Sequence, residues 1–186
     1  MSEFKRAIED YAKYVVQQSR SRLSKAGKNK GSLYKSLSYI ILQNREASGR
    51  FASGYTVTFD MEDYGKFVDK GVKGSLSSSK GNQQEQSPYQ FGNRTALIGK
   101  QNGGMSGIMR KWLEKRKIRW RDKVTGRFMS YKSMSYLIAR SIYTRGIKPT
   151  LFFTKPFESG VRRFGDNIVV AYGNEILKKL VKKWVQ

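Results

Sequence analysis

The sequence contains no cysteine and no histidine in 186 residues. Without cysteine there is no disulfide framework and no thiolate chemistry. The missing histidine excludes more, because zinc sites, most general bases and most serine or cysteine nucleophile systems depend on it. Carboxylate-only magnesium chemistry and Lys, Tyr or Ser mechanisms stay open. Long apolar runs are also lacking. Runs such as Tyr39 to Leu42 are far too short to span a bilayer. Met1-Ser-Glu-Phe-Lys-Arg has no apolar signal core behind its charges, so the protein is expected to stay in the cytosol or in whatever assembles there.

Acidic residues are scarce as well: 14 against 37 Lys and Arg, for a net charge of +23 and a pI near 10.3. Such an excess attracts polyanions: nucleic acid, an anionic membrane or an acidic protein face. The charge is uneven, with net +7 over residues 1–50, +1 over 51–105 and +15 over 106–186. Hydrophobic residues at 38% and aromatics at 13% suffice for a core. The length suits one domain, 1–186, with a large insertion over 73–130.

The apolar spacing predicts a helix over 2–25, where Phe4, Ala7, Ile8, Tyr11, Tyr14 and Val15 recur at helical steps. Ser2 is its expected cap and Gly27 its expected stop. Residues 37–43 and 54–60 read as the strands of a hairpin with a long turn. In the second, Tyr55, Val57 and Phe59 alternate with Thr56 and Thr58. Residues 64–71 read as a short helix. The Ser, Gly and Gln of 73–107 predict an extended arm that orders against a neighbour, which the resemblance below makes a neighbouring subunit. Helices follow over 106–118, 130–145 and, opened by Pro156, 155–184, with a loop or hairpin around Thr125-Gly126.

Asp60, Glu62, Asp63 and Asp69 are the only carboxylates grouped closely enough in sequence to imitate a magnesium site, and turn or cap roles explain them better. The glycines of 99–107 lack the Gly-Lys-Ser/Thr of a phosphate loop. No catalytic, cofactor or metal residue is assigned, and no enzymatic activity is expected. Residues 110–127 are the densest basic stretch, with nine basic residues, two acids, and Trp112 and Trp120 interleaved. Cations that neutralise phosphates beside aromatics that stack on bases suit nucleic acid. An acidic protein surface fits equally, since Trp and Arg anchor interfaces. The candidate contacts are Arg110, Lys111, Trp112, Arg116, Arg119, Trp120 and Arg121.

Three segments, in order, carry a family resemblance. Gly31-Ser-Leu-Tyr-Lys-Ser-Leu37 resembles a Thr-Gly-x-Leu-x-x-Ser-Ile signature. Tyr64-Gly-Lys-Phe-Val-Asp-Lys-Gly71 resembles Tyr-Ala-x-Tyr-Val-Glu-x-Gly-Thr, and Lys155-Pro-Phe-Glu-Ser-Gly-Val161 resembles Pro-Phe-Leu-x-x-Ala. These belong to the minor tail, or tail-completion, proteins of tailed bacteriophages, which act in the neck, the head–tail connector. The likeness covers roughly residues 1–72 and 133–186. It departs at Ser32, Asp69 and Val72, and residues 73–132 are longer than the family pattern.

The resemblance implies an α+β fold, with a small antiparallel sheet flanked by N-terminal and long C-terminal helices. It gives structural roles to Gly31, Leu33, Ser36, Tyr64, Asp69, Gly71, Pro156 and Phe157. It further implies a virion protein assembled in the host cytoplasm as a homo-oligomeric ring. The implied partners are portal or connector proteins and tail proteins, with phage DNA nearby and no membrane. The alternative is a cytosolic nucleic-acid-binding protein using 110–127.

Overall fold

The computed structural model describes residues 2–45, 51–75, 87–91 and 104–184. The described elements, in chain order, are α1 (Glu3–Lys25), α2 (Ser32–Ser36), β1 (Ser38–Arg45), β2 (Phe51–Asp60), α3 (Gly65–Lys70), β3 (Val72–Lys73), α4 (Gly104–Arg116), α5 (Tyr131–Arg145), β4 (Gly146–Ile147) and α6 (Thr154–Trp184). The fold is α+β, as expected. Its strands form two antiparallel pairs, β1 with β2 and β3 with β4. The chain divides into two compact units, Met1–Gly65 with Leu151–Gln186, and Lys66–Thr150. Among the described residues, no helix is long and apolar enough to cross a membrane.

In the first unit, α1 begins where Ser2 Oγ accepts the Lys5 amide at 3.2 Å. It ends in a Schellman turn: Gly27 N–H reaches Ser24 O at 2.9 Å and Lys28 N–H reaches Leu23 O at 2.9 Å. Gly27 sits at φ +70°, where a Cβ is unwelcome. Helices α1 and α6 run antiparallel, since Tyr172 meets Phe4 while Phe164 and Phe157 meet Tyr11. Gly160 lets them approach, because a Cβ there would sit 2.8 Å from the Tyr11 ring.

The β1–β2 hairpin packs onto this pair. Its register sets Tyr39 opposite Phe59 and Ile41 opposite Val57, and Ile41, Tyr55 and Val57 pack on the Phe4, Ile8 and Ala171 cluster. Period-2 alternation sends Ile40 and Leu42 outward, both exposed. The Leu151-Phe-Phe stretch is a turn, with Phe152 fully buried.

In the second unit, β3 lies between two partners. Its Val72 and Lys73 oppose Ile147 and Gly146 of β4. On the other side, Lys73 N–H donates to Tyr89 O at 2.7 Å and Phe91 N–H to Lys73 O at 3.2 Å. Ser87, itself buried, donates its hydroxyl to Gly71 O at 2.8 Å. Residues 87–91, inside the expected inter-subunit arm, are thus held by their own chain. The remainder of that arm, 76–86 and 92–103, lies outside the described residues. The backbones here touch closely: a Cβ on Gly71, at φ +71°, would overlap the Ile147 carbonyl. Helices α4 and α5 pack together around Leu113, Met134 and Ala139, all fully buried.

Candidate functional site

The basic stretch begins on α4, whose N-terminal turns face α5. Arg110 lies on that side, and its Nε donates to Glu114 Oε1 at 2.8 Å. Two residues on is about 200° around a helix, so Trp112 lies away from Arg110, 44% exposed. The Arg116 guanidinium covers the Trp112 ring at 6.0 Å. Lys111 is exposed.

Helix α4 ends in the same Schellman pattern as α1, with Lys117 N–H on Glu114 O at 3.2 Å and Ile118 N–H on Leu113 O at 3.1 Å. Here the left-handed position is Lys117, at φ +53°, a conformation that costs a residue with a Cβ about 1 kcal/mol.

The chain then turns back as a hairpin, one of the two forms expected around Thr125-Gly126. Met129 N–H donates to Trp120 O at 2.9 Å, Arg121 pairs with Phe128, and Asp122 N–H donates to Arg127 O at 2.8 Å. Asp122 closes the tip. Its Oδ1 accepts the amides of Thr125 at 2.8 Å and Val124 at 2.9 Å and the Thr125 hydroxyl at 3.2 Å. These bonds, led by the Thr125 amide, hold its carboxyl below the ordinary aspartate range. Val124 stands at the tip, 94% exposed.

Two arginines of this segment lie over rings. Arg119 is 5.3 Å from the Tyr131 centroid, with Nε 3.4 Å from its hydroxyl, and Arg121 is 4.7 Å from that of Phe128. Trp120 is tied through its backbone amide, 3.2 Å from Met134 Sδ, and its side chain is 44% exposed. Each stack contributes about 0.5–1 kcal/mol and fixes a cation that would otherwise be mobile.

The seven predicted contact residues therefore form more than one patch. Arg110 faces α5, Trp112 and Arg116 share another side of α4, and Arg119, Trp120 and Arg121 lie on the segment packed against the start of α5. A cleft of about 620 Å³ opens between the N-terminal halves of α4 and α5, and Arg110, Lys132, Ser133, Ser135 and Tyr136 are among its lining residues. Of these the sequence pointed only to Arg110. Lys132 and Tyr136 join it only once α4 and α5 lie side by side. The one local signal was Lys132 between the cap Ser130 and Ser133, whose amide Ser130 Oγ accepts at 3.1 Å.

The residues that carry the family likeness act structurally. Gly31 precedes α2, and Leu33 is buried within it. The Tyr64 hydroxyl accepts the Leu33 amide at 3.0 Å and lies 2.9 Å from Ser32 Oγ. Ser36 Oγ accepts the Glu62 amide at 3.2 Å. Asp69 is buried in α3, and Gly71 supplies the positive φ after it. Pro156 is buried in the first turn of α6, beside Phe157, whose ring meets those of Tyr11, Phe59 and Phe153. Among the described residues, no group of three or more Asp or Glu is placed to hold a metal ion. The chain matches no protein-family model, no curated protein and no solved structure.

Proposed function

We propose that this chain is a structural virion protein of a tailed phage, a ring component of the neck between portal or connector and tail, without enzymatic activity. The supporting observation is the Tyr64 hydroxyl. It joins two of the three segments that resemble tail-completion proteins, binding the Leu33 amide at 3.0 Å across 31 residues of sequence. The third segment opens α6 in the unit that also holds the first segment and Tyr64, whereas residues 66–71 of the second belong to the other unit. Residues placed this way hold a scaffold rather than a reaction centre. In this reading the basic second unit docks on an acidic neighbour, and rings close through heterologous contacts between copies. Electron microscopy of the purified protein, alone and mixed with portal, is the test. Rings or portal-bound particles are expected, and a strict monomer that binds no virion component would overturn the proposal.

The second reading, nucleic-acid binding through 110–127, has one specific support. Arg116, Arg119 and Arg121 each lie over an aromatic ring, an arrangement that holds three cations in place beside rings. It predicts affinity for free DNA or RNA that falls steeply with salt and with Arg119→Gln/Arg121→Gln.

A further inference from the structure

We infer that the cleft between α4 and α5 binds single-stranded nucleic acid, with a backbone phosphate at Arg110 and Lys132 and a base against the Tyr136 ring. The inference does not depend on the neck assignment. It also uses a site other than the stretch 110–127, which contributes Arg110 alone.

The cleft, about 620 Å³, falls within the range of small-ligand sites and accommodates one nucleotide unit. Among the described residues, its lining carries two cations and no carboxylate. The nearest acid in sequence, Glu114, bonds Arg110 through Nε at 2.8 Å. Among the described residues that is the only acceptor on this guanidinium, so its terminal amino groups remain available for a phosphate. Two serines of the wall, Ser133 and Ser135, are engaged elsewhere. Ser133 Oγ lies 2.9 Å from Ser130 Oγ, and Ser135 donates to Lys132 O at 2.9 Å. They shape the wall and leave the anion to the cations. Tyr136 is 38% exposed, a ring at the lip of a basic cleft.

A free phosphate would use the cations but not the ring. A polymer uses both, and it also uses the surroundings: residues 104–145 hold twelve Lys and Arg against Glu114 and Asp122, net +10. The aromatic wall selects single strands over duplex, because bases in a duplex have no face free to stack. An acidic peptide matches the charge but gains nothing from Tyr136.

The test is fluorescence anisotropy of a short labelled oligonucleotide, as single-stranded DNA, single-stranded RNA and duplex, with poly-glutamate as competitor. Because a chain of +23 attracts any polyanion, two charge-matched double variants are compared. Arg110→Gln/Lys132→Gln should weaken single-strand binding about tenfold and lower the salt slope by about 0.7, the share of one phosphate. Lys25→Gln/Lys28→Gln, in the first unit, should weaken it less than about threefold. Tyr136→Leu should cost about tenfold on single strands and leave the inhibition constant of poly-glutamate unchanged.

Photocrosslinking of the unaltered protein should place the adduct on Tyr136. All the altered side chains are exposed or partly exposed, so the fold should persist, as circular dichroism would verify. Equal weakening by the two doubles, a silent Tyr136→Leu, or tighter binding of duplex than of single strand would each overturn the inference. A preference between DNA and RNA would leave it standing and identify the sugar.

Discussion

Where the first unit sets ring against ring, from Phe4 on Tyr55 to Phe153 on Phe157, the second sets several of its exposed rings under arginines. The division is not absolute, since Arg163 covers Tyr14 and Phe164 in the first unit and Phe67 meets Tyr89 in the second. It nonetheless separates two uses of the same side chains. Rings facing rings exclude water and hold α1, α6 and the β1–β2 hairpin together. Rings facing guanidinium groups stay at the surface and hold charge in place, which contributes little to stability and much to what approaches.

The largest expected effect tests the packing side of this contrast. Phe152→Ala in the first unit should cost about 3–5 kcal/mol, and Leu113→Ala in the second about 2–5 kcal/mol, both read by urea unfolding. If each unit is its own cooperative block, each substitution should move one transition and leave the other in place. A single transition that moves equally with both would merge the two units into one.

Tyr64→Phe removes the acceptor of the Leu33 amide and should cost about 1–2 kcal/mol in the same assay. A neutral result would mean that α2 does not need the hydroxyl. Lys117→Gly relieves the positive φ at the end of α4 and should stabilise the second unit by about 1 kcal/mol, seen as a raised Tm.

The smallest effect concerns Asp122. Its carboxyl is held below the ordinary range by the Thr125 and Val124 amides, so the stabilisation is present above the unfolded pKa and lost as pH falls through the folded one. Amide shifts at Val124 and Thr125 should therefore hold through mild acid and move only below the usual aspartate midpoint. Asp122→Asn should flatten that titration.

What the sequence revealed followed from local physics. Helices α1, α5 and α6 carry their apolar spacing, caps and stops within a few residues. The Tyr55, Val57 and Phe59 alternation marks an inward face wherever the partner strand lies. Helix α2 was not foreseen, since Ser32 to Ser36 has no apolar period and the Tyr64 hydroxyl bonds it from a distant point in the chain. The pairing of 87–91 with β3 was hidden in a Gln- and Ser-rich segment for the same reason: its hydrogen bonds are backbone ones that composition does not encode. At the candidate site, the mixture of Arg and Trp was plain in one dimension. Its division between two sides of α4 follows from helical geometry, whereas the cleft with Lys132 and Tyr136 exists only where two helices meet.

One detail of the second unit reaches further. Thr150 donates both its amide, at 3.1 Å, and its hydroxyl, at 2.7 Å, to the carbonyl of Val68, so residues 66–150 leave and return at one point. The entropy of closing such a loop grows only logarithmically, by about 0.6 kcal/mol for each doubling of length. For the helices on either side of the excursion, its size is therefore almost a matter of indifference. Chain-closure entropy thus sets little limit on how much chain lies between Val68 and Thr150.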